Sequence, residues 1–249
     1  MKKPRPFVLS IAGFDPCGGA GVLADIKTFE SLKVSGLGVS TCITFQNEAE
    51  FNGLEWLDIQ NIKNQVDSIL SKYQPEFVKI GLVEDLDILQ NIIDHLKSVN
   101  KDIKIIWDPV FKSTTGFFFH KEVKFEDIKK VLENIYLITP NFPEIQQINK
   151  NIMPLESGKL LSEICNVFLK GGHNQEKPAY DHLFVKGKSF SFRPKEFSDY
   201  SKHGTGCVLS SAICAYLAKG FKLHKACLHA KDYTTRFIQS NKTLLGYHK

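Results

Sequence analysis

Short apolar runs alternate along the chain with stretches whose apolar residues recur every three or four positions. The runs are FVLSIAG (7–13), GVSTCITFQ (38–46), FVKIGLV (77–83), IKIIWDPVF (103–111), YLITPN (136–141) and VFLKGG (167–172). They are rich in β-branched residues and most run into Gly, Asp or Asn, which predicts buried parallel strands. Between them the period lengthens. In 20–33, Val22, Leu23, Ile26, Phe29 and Leu32 share one helical face, and in 58–72 Ile59, Ile62, Val66, Ile69 and Leu70 do the same. Residues 85–98 and 125–133 follow with similar spacing. This alternation predicts an α/β fold with right-handed crossovers and a mainly parallel central sheet. DHLFVKGKSFSF breaks the pattern near 181–193 and reads as an antiparallel hairpin turning at Lys186–Lys188, placed at the sheet edge. Two helices close the chain, over 206–219 with Gly220 as its cap and over about 223–239. No linker, repeat or low-complexity tract interrupts residues 1–249, so the reading is one domain.

Composition narrows the function classes. The chain has 249 residues, 43% of them hydrophobic, enough for one sizeable core. The formal net charge of +5 comes from scattered lysines, and Arg is scarce (Arg5, Arg193 and Arg236). That pattern fits anionic small-molecule substrates rather than nucleic acid. The six cysteines form no C-x-x-C pair and no zinc spacing, and the expected compartment is a reducing cytoplasm. MKKPRPFVLSIAG resembles a signal peptide, but its short apolar stretch runs straight into Asp15 and a second motif, which argues against cleavage. No run approaches the length of a membrane span, so no membrane partner is expected.

Ligands in an open parallel sheet bind beyond the carboxyl ends of the strands. Six such ends here carry Gly, Asp or Asn: AGFDPCGGAG, FQNE, KIGLV, WDPVF, TPNFPE and KGGH. Each alone is compatible with an ordinary turn. In DPCGGAG (15–21) the glycines either let backbone approach a ligand or make a tight turn before the helix from about Ala20. Asp25, in that helix's first turns, reads equally as a solvated carboxylate. Asp108 of DPV either faces a phosphate-bound Mg²⁺ or a transferable hydroxyl proton, or caps its strand before Pro109. Asn141 and Glu144 of NFPE are spaced to hold metal-bound waters, but the favoured reading is a helix start with Asn as N-cap and Glu at N3. Gly204, Thr205 and Gly206 open a small, apolar helix, where free N–H groups and the positive dipole end make an anion site. No Walker A loop is present.

Taken in order, SIAGFDPCGGAGVLADIKTF, FQN, KIGL, DPV, TPNFPE, FLKGGH and HGTGCVLSSAI resemble the ribokinase-like superfamily, and within it the hydroxymethylpyrimidine/phosphomethylpyrimidine kinases of thiamine biosynthesis. The likeness covers residues 8 to about 220, and cysteine after GTG is characteristic of that branch. It implies a ribokinase-like three-layer α/β/α sandwich with a small edge hairpin. It implies ATP as phosphoryl donor, Mg²⁺, and a small pyrimidine as acceptor, phosphorylated first at its hydroxymethyl group and then on the resulting monophosphate. It further implies that Gln46 bonds the pyrimidine edge, that Gly13, Ala20, Asp25 and Leu82 line its pocket, and that Val110 packs on the ring. By the same likeness Asp108, Asn141 and Glu144 surround the Mg²⁺–phosphate region, Glu144 through water. Lys170 and Gly172 lie at the nucleotide, and Gly204 to Cys207 form an anion hole that activates the hydroxyl. Relatives of the branch are commonly dimers, so a homodimer is expected. A helix N-terminus lowers a thiol's pKa, which makes Cys207 the expected general base.

The chain also departs from the branch. Where D-P-V-M-V-A-K-S-G is usual it reads DPVFKSTTG (108–116), so the lysine moves to Lys112 and Thr114 takes its place. Leu82 replaces a usual Met, and Phe45 and Glu48 flank Gln46-Asn47 where smaller or neutral residues are usual. Two other functions fit the same motifs: a pyridoxal or pyridoxine kinase, and a vitamin- or nucleotide-binding protein with degraded catalysis. A redox role for Cys207 lacks a partner cysteine at suitable spacing.

Overall fold

The computed structural model describes residues 4–111, 125–174, 178–195 and 200–249. Lys112 and Thr114 lie outside these residues. Among the described residues nine strands form one sheet: β1 (Phe7–Phe14), β2 (Ser35–Gln46), β3 (Phe51–Trp56), β4 (Phe77–Ile80), β5 (Lys104–Trp107), β6 (Leu137–Ile138), β7 (Asn166–Leu169), β8 (Asp181–Val185) and β9 (Lys188–Phe192). Their spatial order is β3-β2-β1-β4-β5-β6-β7-β8-β9. The six strands from β2 to β7 are mutually parallel, β3 is antiparallel at one edge, and the β8–β9 hairpin is antiparallel at the other, where the sequence placed it.

The helices are α1 (Gly21–Ser31), α2 (Ile59–Leu70), α3 (Leu86–Val99), α4 (Phe125–Leu132), α5 (Phe142–Ile148), α6 (Pro154–Leu161), α7 (Thr205–Ala218) and α8 (Leu223–Ile238). Their apolar stripes are shed onto the two faces of the sheet, giving the three-layer sandwich. Leu9, Ile11, Val78, Ile80, Ile105 and Trp107 pack under α2 to α6. Val8, Phe77, Ile106, Leu137 and Phe168 pack under α1, α7 and α8. Neighbouring residues thus enter opposite cores, which is why the parallel strands read as unbroken apolar runs. Helix α7 is buried along nearly all its length between the sheet and α1 and α8, matching its small, apolar sequence. Among the described residues no helix is long and apolar enough to cross a membrane.

The strands are shorter than the apolar runs. β4 stops at Ile80 and β6 keeps only Leu137–Ile138, because the residues that follow leave the sheet as loops at its carboxyl edge. The antiparallel strand β3 is absent from the sequence reading: FNGLEW offers no clean alternation, and it is held by pairing with the second half of β2. Helix α6 is also new. Its start is marked only by Pro154 at N1.

The face of the sheet toward α1 and α7 carries a polar row at its carboxyl edge. Ser10 on β1 lies beside Lys79 on β4. Asp108, Thr139 and Lys170 sit two positions beyond Ile106, Leu137 and Phe168, and so point to that same face. Small clefts lined by Tyr73, Pro75 and Ile103, and by Lys104 and Tyr136, lie at the opposite, amino ends of the strands and hold none of these groups.

Candidate active site

The site is assembled where the loop after β1 meets the start of α7. Gly204 is the N-cap of α7 and holds a left-handed backbone (φ 72°), with no side chain capping the helix. A Cβ on Gly204 would strike the carbonyl of Gly19, so only glycine lets the two loops touch. The first-turn N–H groups of α7 have no acceptor within the helix. Thr205 adds only its backbone, since its hydroxyl is spent on the Lys202 carbonyl at 2.8 Å. Gly206 presents its bare face to Lys170 and Asp108; a Cβ there would lie 3.4 Å from the Lys170 Nζ. On the other side, a Cβ on Gly13 would lie 2.7 Å from the Cys42 Sγ and 3.3 Å from Leu82. A Cβ on Gly21 (φ 58°) would strike the Gly13 carbonyl. Gly13 thus meets Leu82 and Gly21, and Gly204 meets Gly19 and Ala20, which sets the glycine-rich loop against the start of α7. Val110 lies two residues beyond Asp108, across Pro109, its N–H returning to the Asp108 carbonyl at 2.9 Å. Gln46 ends β2 beside a register shift against β3 and is half-buried.

Asp15, absent from the sequence-based set of site residues, organises the first loop. Its Oδ2 accepts from Gly19 N (3.1 Å), Ala20 N (2.8 Å), Cys17 Sγ (3.3 Å) and His203 Nε2 (3.0 Å). Burial raises the carboxyl's proton affinity, but these bonds outweigh it and hold Asp15 below the usual carboxylate range. Asp15, Cys17 and His203 are close enough to suggest a metal site. With four donors already on one carboxylate oxygen, however, the trio is a clamp between the glycine-rich loop and the tip of α7.

Beyond Gly206 lies a charged cluster. Lys170 Nζ donates to Asp108 Oδ1 at 2.7 Å and stands 3.5 Å from Glu144 Oε2. Thr139 adds a bond to Asp108 Oδ1 at 3.0 Å. Asn141 and Glu144 form a full capping box at the start of α5, as the favoured sequence reading had it. One ammonium cannot neutralise two buried carboxylates. Burial disfavours ionised Asp108, but Lys170 and Lys79 hold its carboxyl below the ordinary range. Glu144 has the more distant share of Lys170, and burial pushes its carboxyl up to about 7. The cluster lacks one positive charge, and its carboxylate oxygens are hard donors of the kind Mg²⁺ prefers.

The raised Glu144 value has a testable sign. Its ordinary value is 4.5, so between about 4.5 and about 7 the folded chain binds more protons than the unfolded one. Stability then falls as pH rises through that window. Gln at 144 keeps the capping box and removes the titration. Glu144→Gln is expected to gain stability relative to the parent from pH 5 to pH 8 in urea unfolding without ligand. Parallel curves for the two proteins would refute the assignment.

Two sequence expectations change here. Asp25 does not line the pocket: it is fully buried, with Lys79 Nζ at 2.7 and 2.9 Å, Ser10 Oγ at 2.5 Å and Ser211 Oγ at 2.6 Å. A carboxylate placed inside α1 beneath α7 has no route to solvent, so it meets the site only through these partners. Nor is the Cys207 thiol acidified. Cys207 is half-buried at the tip of α7. Burial pushes its pKa up to about 11; Lys79 and the Gly21 N–H oppose this, while Asp25 and Asp108 reinforce it. The helix end supplies only about half a charge, too little against desolvation and two carboxylates.

At 172 the structure makes no demand for glycine, since a Cβ there would meet nothing. The constrained position is Gly171, packed on the Tyr180 backbone, with its N–H held by Asp181 at 2.7 Å and Asp181 in turn paired with Lys231 at 2.6 Å. Sequence reasoning missed Lys79, Ser210 and Ser211 as well as Asp15 and His203. A lysine inside the apolar run FVKIGLV was the one available signal.

Comparison with known proteins agrees with this architecture. The family described as Phosphomethylpyrimidine kinase matches residues 15–249. A hydroxymethylpyrimidine/phosphomethylpyrimidine kinase of Aquifex aeolicus is 35% identical over 245 residues, covering 95% of each chain. The crystal structure of phosphomethylpyrimidine kinase from Clostridium difficile 630 superposes with a TM-score of 0.79 at 33% identity, over 93% of this chain and 99% of that one. The pyridoxal kinase of Staphylococcus aureus in complex with ADP gives a TM-score of 0.83 at 23% identity, over 95% and 89%, a likeness of fold. With the match running from the glycine-rich loop to the last residue, this chain belongs to the phosphomethylpyrimidine kinase family.

Proposed function

We propose that the protein transfers the γ-phosphoryl group of ATP to the hydroxymethyl group of 4-amino-5-hydroxymethyl-2-methylpyrimidine, and then phosphorylates the monophosphate, in thiamine biosynthesis. The observation that carries this reading is the uncapped tip of α7 facing the Asp108–Lys170–Glu144 cluster across Gly206. Phosphoryl transfer needs positioning and charge neutralisation more than covalent chemistry. Backbone N–H groups from Gly204 to Cys207 offer fixed donors where charge develops on the transferring group. Lys170 leaves its carboxylate partners to meet the nucleotide phosphates, with Gly172 beside them. Asp108 and Glu144 would hold Mg²⁺, Glu144 through water, and Asn141 keeps the Glu144 carboxylate oriented. Bound there, Mg²⁺ supplies charge neutralisation of the β- and γ-phosphates.

The pyrimidine lies between Gly13, Ala20, Leu82 and Val110, with its polar edge toward Gln46. Cys207 takes the hydroxyl proton late, as the leaving bond opens, and does so as its thiolate, the minor form at neutral pH. The residues assigned to the ring are apolar apart from Gln46, and the relatives' names favour a pyrimidine over a pyridoxal acceptor.

An ADP-release assay with hydroxymethylpyrimidine, its monophosphate, pyridoxal and pyridoxine tests this. Turnover with the first two is expected, and Gln46→Ala is expected to raise the pyrimidine KM about tenfold at nearly constant kcat. No turnover, with hydroxymethylpyrimidine still raising the melting temperature, would replace the enzyme by a binding protein. An unchanged KM would remove Gln46 from the pocket.

A further inference from the structure

The tip of α7 can work only if the helix is held at one rotation about its axis, and the helix is almost featureless. Its side chains are mostly small and apolar, and such contacts carry little directional preference. Two exceptions sit one turn behind Cys207: Ser210 and Ser211, both fully buried. Consecutive residues project about 100° apart around a helix, so the two hydroxyls leave α7 in different directions. Each ends on a different buried carboxylate. Ser211 Oγ donates to Asp25 Oδ1 at 2.6 Å. Ser210 Oγ lies 3.1 Å from Asp108 Oδ2, and also 3.1 Å from the Gly206 and Cys207 carbonyls.

Both carboxylates are rigid. Asp25 is fixed from α1, β1 and β4 at once, through its own helix, Ser10 and Lys79. Asp108 is fixed at the ends of β5 and β6, through its own strand and Thr139, with Lys170 at the end of β7 added until the nucleotide claims it. Rolling α7 in either direction stretches one serine bond, and buried hydroxyls have no water with which to replace it.

We infer that Ser210 and Ser211 are positioning residues for phosphoryl transfer: bonded to Asp108 and Asp25, they set the roll of α7 and so aim its N–H groups and the Cys207 thiol. Neither touches the substrate. The inference rests on the kinase reading above, since it concerns the aim of that anion hole. Either bond alone holds the helix loosely, and losing both releases it. The signature is therefore non-additivity in kcat. A misplacement near 1 Å costs on the order of a hundredfold in rate.

The test is a double-mutant cycle in the ADP-release assay with hydroxymethylpyrimidine, each protein also being melted thermally. Ser210→Ala and Ser211→Ala are each expected to lower kcat by no more than about threefold, and the double variant by about a hundredfold, with both KM values within about twofold of the parent. If the double alanine variant does not fold, Ser210→Cys with Ser211→Cys keeps the volume with weaker donors, and the same non-additive loss is expected. Additive losses, a rise in KM at constant kcat, or a loss of kcat that merely follows the fraction unfolded would each overturn the inference. A parent protein without turnover would instead refute the kinase reading, independently of the two serines.

Discussion

Replacing Cys207 with alanine is expected to lower kcat about 10²–10⁴-fold while leaving the KM for ATP nearly unchanged. The sulfur stands at the tip of α7, bonded by the Gly21 N–H, in a residue that is only partly buried. Unlike Asp108 and Glu144, both engaged by Lys170, Cys207 is held in no ion pair among the described residues. Its pKa near 11 adds a pH signature. At neutral pH only about one thiol in 10⁴ is ionised, a fraction that grows tenfold per pH unit below the pKa. The active form is the deprotonated one, so kcat/KM of the parent is expected to rise with pH through the alkaline range, and the alanine variant to lose that slope. Near-parental turnover in Cys207→Ala would reduce the thiol to packing. A parent profile flat from pH 7 to 10, with turnover still lost in the variant, would leave the sulfur a role in shape but not in proton transfer.

The largest expected effect on stability belongs to Lys79. Both it and Asp25 are completely buried, and their ion pair is closed by Ser10 and Ser211. Lys79→Met leaves a buried carboxylate without its ammonium, which costs about 3–5 kcal/mol. For a chain of this length that lowers the melting temperature by about 10 °C or more. Asp25→Asn added to Lys79→Met removes the stranded charge and is expected to restore part of the loss. Burial opposes the Lys79 charge, but Asp25 outweighs it and raises the proton affinity above the ordinary 10.5. A group raised in this way stabilises the fold below its unfolded pKa and stops doing so only as pH rises past the folded one. Lys79 thus stays charged in the parent from pH 5 to pH 9, and the deficit of Lys79→Met is expected to persist throughout that range. A double variant no more stable than the single one, or a deficit that vanishes within that range, would contradict the pairing.

The two variants probe parts of the molecule that were unequally legible. The glycine entry of α7 at Gly204–Gly206 was legible because helix-end chemistry is local and is written within four residues. The same holds for Asn141 and Glu144, whose capping box spans a single turn. Strands β1, β4, β5 and β7 were legible because a strand buried on both faces is apolar without a break. Strand β3 was not, because it owes its conformation to its partner in β2 rather than to its own pattern.

By itself the sequence determined the alternation of strands and helices, the edge hairpin, and the gathering of polar residues at the carboxyl ends of the strands, since each follows from local period and turn chemistry. Tertiary structure alone decided which charges meet. Asp25 finds Lys79 across 54 positions and Ser211 across 186, and Lys170 finds Asp108 across 62. It also decided proton affinities. Asp25 read as a solvated or pocket carboxylate and is sealed in a buried pair; Cys207 read as an acidified thiol and is a protonated one. Desolvation is a property of everything packed around a group, and no stretch of chain carries that information on its own.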